Sequence, residues 1–183
     1  MIARLTKLPS RRIFSILSSL IIVFTLNSCG DYRSEETCGD SIAVGDKGRF
    51  EVDKDGFAKD TESGVVWYRC AAGQQYSNFR CKGEILYLSW DEAIDYAAEF
   101  SEKSGINWRL PTDNEMQSVT EDACVAPAIN HNAFPSIAVE NHWTSSKGLH
   151  QDIFRCAVNT YSGRLSCRQP RDVGQPFMLV RED

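Results

Sequence analysis

The chain has 183 residues, 42% hydrophobic and 25% charged, with a formal net charge of −5 at neutral pH. Those globular proportions exclude wholesale disorder, and the length suits one domain, or one domain with a tail. There is no internal repeat and no Gly-X-Y run, which excludes solenoids and collagen. Beyond the first 28 residues, 16 basic side chains meet 25 acidic ones, a net of −9. No nucleic-acid partner is expected, because neutralising phosphates takes a cationic surface.

Met1–Arg12 is basic and free of acids, and Ile13–Leu26 is a run of 14 mostly apolar residues. Spanning a bilayer takes about 20, so this run reads as the apolar core of a signal peptide. It ends in Leu26-Asn27-Ser28-Cys29-Gly30. That sequence resembles the bacterial lipobox, in which the cysteine receives the lipid. Residues 1–28 are therefore expected to be removed and Cys29 to be lipidated, tying an exported protein to a membrane. Gly30 rather than Asp follows the cysteine. By resemblance to the sorting rule of enteric bacteria, this favours the outer membrane, with the protein facing the periplasm or the surface.

Seven cysteines is an odd count for an exported protein. Giving Cys29 to the lipid leaves Cys38, Cys70, Cys81, Cys124, Cys156 and Cys167, an even set that implies a disulfide framework. Six cysteines can pair in many ways, and spacing favours one pair clearly. Cys70 and Cys81 flank the polar loop Ala71–Arg80. Cys156 and Cys167 lie on either side of Thr160-Tyr161-Ser162-Gly163, where a hairpin would set them opposite each other. Cys38 and Cys124 are the remainder. With no C-x-x-C pair and no closely spaced histidines, no metal site or cofactor is expected.

Residues 29–47 are polar and acidic and read as a tether, with Cys38 pinning part of it to a domain over 48–183. Arg49–Val52 alternates in character, and Asp53-Lys54-Asp55-Gly56 is hairpin-turn chemistry. Its acids do not follow the EF-hand pattern, since Phe57 and Ala58 fall where a ligand and a glycine are needed. Val65–Tyr68 is strand-prone. Ser89-Trp90-Asp91-Glu92 is a capping box, and Trp90, Ala93, Ile94, Ala97 and Phe100 follow at helical spacing up to Gly105. Thr112-Asp113-Asn114-Glu115 is a second capping box, opening a short helix whose inner face is Met116 and Val119. His142–Ser145, Ile153–Val158, Arg164–Cys167 and Phe177–Arg181 read as strands. Two helices early and strands late predict an α+β fold with a mainly antiparallel sheet.

Trp108-Arg109-Leu110-Pro111-Thr112, with Glu115, is the most specific motif. It resembles the signature of the DUF1566 family, also called the Lcl C-terminal domain family. Asp60–Trp67, the cysteine-closed Cys70–Cys81 loop, Ala126–Asn130 with Phe134-Pro135, His142–Ser146 and Leu179-Val180-Arg181 are similar to further motifs of that family, in the same order. The resemblance covers roughly residues 48–181; the extra Cys156 and Cys167 and the missing collagen-like stalk depart from it. It implies a C-type-lectin-like α+β fold, and a role like that of the family's better-known members, which are surface adhesins.

No catalytic residue is expected. There is no Gly-x-Ser-x-Gly motif, a Cys-His pair needs a free thiolate, and Arg109 suits a local structural role at the helix entry. Charge supplies the functional hint. Residues 29–140 carry 10 basic and 21 acidic side chains, and residues 141–181 carry six basic and two acidic. Arg155, Arg164, Arg168 and Arg171 are therefore the expected ligand-binding residues, with guanidinium forks suited to sulfate or carboxylate on an anionic glycan. The expected function is non-catalytic lectin-like binding or adhesion. The alternative is a structural lipoprotein that binds another envelope protein.

Overall fold

A computed structural model describes residues 35–182. The expected signal segment and lipid-bearing Cys29 lie outside the described residues. Among the described residues, no helix is long and apolar enough to cross a membrane.

The described part of the expected tether packs on the domain. It forms a short helix, α1 (Cys38–Ser41), held by a Cys38–Cys124 disulfide and by a backbone bond from Cys38 N–H to Val125 C=O at 2.9 Å. Strands β1 (Phe50–Val52) and β2 (Phe57–Asp60) form the expected hairpin, with Phe50 opposite Asp60. Asp53 builds its turn by accepting from the amides of Asp55 and Phe57 at 2.9 and 2.8 Å. Gly56 is required there twice over: its φ is +94°, and a Cβ would stand 2.6 Å from Tyr76. Strand β3 (Val66–Tyr68) follows, and then a second hairpin, β4 (Gln75–Ser77) with β5 (Arg80–Lys82).

Both capping boxes work as their sequences predict. Helix α2 (Trp90–Ser104) starts with reciprocal Ser89–Glu92 bonds and stops at Gly105, which adopts the left-handed conformation. After β6 (Trp108–Arg109), helix α3 (Asp113–Ser118) starts with the same exchange between Thr112 and Glu115. Strands β7 (Asn141–Lys147), β8 (Phe154–Asn159) and β9 (Arg164–Pro170) form an antiparallel meander. The last strand is β10 (Val180–Arg181).

The result is α+β with antiparallel sheets. One sheet has the order β1-β2-β3-β10-β6, and another has the order β7-β8-β9. Adjacent strand residues point to opposite faces, and the centre of the first sheet is buried on both. Trp67, Met178 and Val180 join a cluster with Phe50, Met116, Ile129 and Phe134. Their neighbours Tyr68, Phe177 and Leu179 join a second cluster with Ala93, Ala97, Trp108 and Trp143, covered by the apolar face of α2. Truncating a side chain as large as Trp67 in such a core costs about 3–5 kcal/mol.

Three details differ from the sequence reading. Helix α1 is a third helix. The β4–β5 hairpin is a strand pair where a polar loop was expected, because its cross-links come from the disulfide and from Tyr68, whose hydroxyl accepts from the Tyr76 amide at 2.9 Å. Phe177–Leu179 is buried and bonded to β3 and its flank, but only Val180–Arg181 forms a strand. All three expected disulfides are present: Cys38–Cys124, Cys70–Cys81 and Cys156–Cys167.

Candidate functional site

The segments that looked most specific in sequence turn out to hold one another. Arg109 donates to both carboxylate oxygens of Glu115 at 2.8 Å, and Glu115 also accepts from the Thr112 amide at 2.7 Å. The paired Arg109 donors hold the Glu115 carboxyl at about 2, well below its ordinary range, against the opposing effect of burial. From β7, the Ser145 amide donates to Pro111 C=O at 2.7 Å and the Ser146 hydroxyl donates to Asp113 at 2.8 Å. Trp143 is fully buried and donates its indole N–H to Leu88 C=O at 2.9 Å. These contacts lock strand β7 onto the start of α3, and they spend the polar groups of both motifs on structure.

The four arginines expected to form a basic face are not brought together. Arg155 is only 4% exposed; its guanidinium lies 4.2 Å from the centre of the Trp90 ring and donates to the carbonyls of Gln151 and Phe154. Arg171 is paired with Asp91 in the first turn of α2, with Nε 2.9 Å from the carboxylate. Arg164 stands on a shallow surface shared with Glu35, Glu121 and Asp122, a setting that repels anions. Arg168 is exposed on β9. A cation buried against an aromatic ring gains cation–π and packing energy, and it is then unavailable to a ligand.

A concave cationic surface lies elsewhere, in the half of the chain with net negative charge. The β1–β2 turn, the β4–β5 hairpin and the 131–135 segment enclose an open cleft of about 400 Å³. Lys47, Lys54 and Arg69 line it, with Tyr76, Phe79, His131 and Asn132. Each is held by a local reason. Arg69 is buried, stacks over Tyr76 at 4.8 Å, and donates to the carbonyls of Ala133 and Asn132 at 2.7 and 2.8 Å and to the Tyr76 hydroxyl. Burial lowers its pKa below the ordinary arginine value, with Tyr76 opposing. Asn132 accepts from the Gly45 amide and donates to the carbonyls of Ala43 and Asp46, which pins the segment carrying Lys47. Asp53 also lines the cleft, with a carboxylate oxygen committed to its own turn.

Phe79 is the least ordinary of these residues. It sits at the tip of the β4–β5 hairpin, is 77% exposed, and has a φ of +61°, next to Asn78 at +52°. Such backbone suits Asn or Gly, and a bulky residue there is strained. The Cys70–Cys81 bridge closes the base of this hairpin. The Nδ1 of His131 is buried and has no hydrogen-bond partner in the protein. The cleft therefore combines an exposed ring with two lysines, backed by the buried Arg69 and by a buried ring nitrogen that has no partner. Nothing in the sequence brings these residues together; the Asn-Phe turn inside a cysteine-closed loop was the only local signal.

The remaining chemistry is structural. His142 is fully buried on β7; burial holds its imidazole at about 4, and a contact to Glu140 C=O opposes this. Among the described residues, Asp113, Cys156 and Cys167 lie close enough to suggest a metal, but the two sulfurs form a disulfide and offer no thiolate.

A family model described as the Lcl C-terminal domain matches residues 56–181. No curated protein matches the chain.

Proposed function

The chain belongs to the Lcl C-terminal domain family, and from that premise we propose that it is an envelope lipoprotein whose domain is a non-catalytic, C-type-lectin-like module for anionic glycans. The α+β layout, with its disulfide-pinned loops, supports the lectin-like reading. The apolar run ending at Cys29 supports lipid anchoring at the outer membrane. Oxidation of Cys38, Cys70, Cys81, Cys124, Cys156 and Cys167 supports the absence of cysteine catalysis.

The observation that carries the reading is the cleft. Phe79 offers a ring on which the apolar face of a sugar can stack, and Lys47 and Lys54 offer cations for its acidic groups, with the buried Arg69 behind them holding the 132–133 backbone in place. This moves the expected ligand site from the arginines of the C-terminal third to the N-terminal half.

The test is retention on heparin and on a glycan array, with the mature chain carrying Cys29→Ser. Binding should weaken with salt, because exposed charges are screened beyond about 8 Å at physiological ionic strength. Lys47→Glu with Lys54→Glu should abolish it, and Phe79→Asn, which suits the turn, should weaken it. Binding that follows Arg164 and Arg168 instead would return the site to β9. A second reading, docking to another envelope protein, is favoured by Leu149 and Ile153, exposed on the β7–β8 loop. Co-purification of one envelope partner lost on Leu149→Ser, with no glycan signal, would select it.

A further inference from the structure

A second concave surface, with a chemistry opposite to that of the cationic cleft, lies against the β7–β8–β9 sheet. It encloses about 380 Å³, within the range of small-ligand sites. Its polar lining is dominated by amide side chains. Asn141 and Asn159 are register partners on β7 and β8, and Asn159 donates to Asn141 at 3.0 Å. Asn141 and Gln175 both donate to the Gln169 side-chain oxygen Oε1, at 3.4 and 3.1 Å. Gln169 donates in turn to the Ser166 hydroxyl at 3.0 Å.

This chain of bonds leaves a specific deficit. Gln175 is 6% exposed, and its side-chain oxygen is buried with no partner in the protein. A buried acceptor left unmade is costly. Each primary amide has two N–H donors, so the four amides also hold donor hydrogens beyond those used among themselves. One acceptor in want of a donor, beside spare donors, matches the hydroxyl group, which gives one bond and takes others. Val139 and Val173 border the same surface and are partly exposed. They provide apolar contact for the C–H face of a ring.

The lining holds no cation. Its one charged group, Glu140, accepts from the Tyr87 hydroxyl at 3.2 Å. A carboxylate on the ligand would meet that charge and find no counter-ion.

We infer that this amide-lined surface is a binding site for an uncharged sugar ring, held through its hydroxyls by Asn141, Asn159, Gln169 and Gln175. The site stands apart from the cationic cleft and does not depend on it.

The test uses the full chain in a zwitterionic detergent, titrated with neutral methyl pyranosides of the gluco, manno, galacto and N-acetylglucosamine series and with methyl glucuronide. Side-chain NH2 resonances of the four amides report occupancy directly. At least one neutral pyranoside should shift them saturably, with a Kd of about 1 mM, and the glucuronide should bind at least roughly tenfold more weakly. Gln175→Leu removes the buried acceptor at similar volume and should weaken binding roughly tenfold. Val173→Trp fills the rim without touching the core and should block binding, which keeps the test decisive if Gln175→Leu fails to fold. Absence of any saturable shift, leaving an ordered water only at Gln175, overturns the inference. So does binding that leaves these resonances unmoved, or that survives Val173→Trp unchanged.

Discussion

The N-terminal half and the C-terminal third of this domain reverse each other's charge. Residues 29–140 are strongly acidic in sum, yet they enclose a cleft lined by Lys47, Lys54 and Arg69. Residues 141–181 are basic in sum, yet Arg155 is buried against Trp90, Arg171 is paired with Asp91, and Arg164 sits among acids. Net charge over a stretch of sequence records composition. Field at a surface depends on which charges share a concavity and which are spent on partners. The lesson is that a ligand site has to be located by convergence, and that an arginine's availability matters more than its count.

The disulfides offer the largest test of this contrast. Cys38–Cys124 spans 86 residues, and each of the other two spans 11. In the chain-entropy model, Cys38→Ala with Cys124→Ala should cost about 4–5 kcal/mol, and removing either short bridge about 3 kcal/mol. Urea unfolding checks the order. The two short bridges should then separate in function: Cys70→Ala with Cys81→Ala loosens the Phe79 hairpin and should lose glycan binding, whereas Cys156→Ala with Cys167→Ala should retain it. Equal loss from both pairs would erase the distinction between the regions.

Acid unfolding sharpens it further, because each region holds a strongly shifted group, Glu115 in the first and His142 in the second. The unfolded chain takes up a proton on His142 near its ordinary 6.5, and burial delays this in the native state until about 4. Stability is therefore full above pH 6.5 and is lost as pH falls toward 4. Glu115 is lowered from 4.5 to about 2, chiefly by Arg109, so its contribution is full above pH 4.5 and lost as pH falls toward 2. Each shift corresponds to a loss on the order of 3 kcal/mol across its window. His142→Phe should flatten the upper window alone, and Glu115→Gln the lower window alone, in denaturation midpoints measured against pH.

The smallest expected effect separates two arginines of one sheet. Arg155→Ala should destabilise by about 2 kcal/mol through the lost cation–π contact and packing. Arg168→Ala, on the exposed strand, should stay within about 0.5 kcal/mol. Neither should alter binding at the cleft. Thermal midpoints alongside heparin retention would show this.

Local signals carried much of the fold. Both capping boxes, the stop at Gly105, the Asp53–Gly56 turn and the apolar face of α2 act within a few residues, so they are readable in order along the chain. Cysteine spacing reached further, because an 11-residue loop or a hairpin leaves few alternatives for a close pair. The motifs of the family were legible as a pattern, but their meaning was not: only the fold shows that Ser145 and Ser146 grip Pro111 and Asp113.

By itself, then, the sequence determined the α+β class, the helix starts, the membership of the family and the even set of cysteines. These depend on residues close in the chain or on a rule of parity. Tertiary structure alone decided where the two concave surfaces lie. Lys47, Arg69, Phe79 and His131 come from separate segments, and Asn141, Asn159, Gln169 and Gln175 come from three strands and the segment that follows them. Which side chains converge is set by strand register and sheet packing. Which arginine is free is set by what folds against it. Both are properties of contacts between distant segments, and no local pattern encodes them.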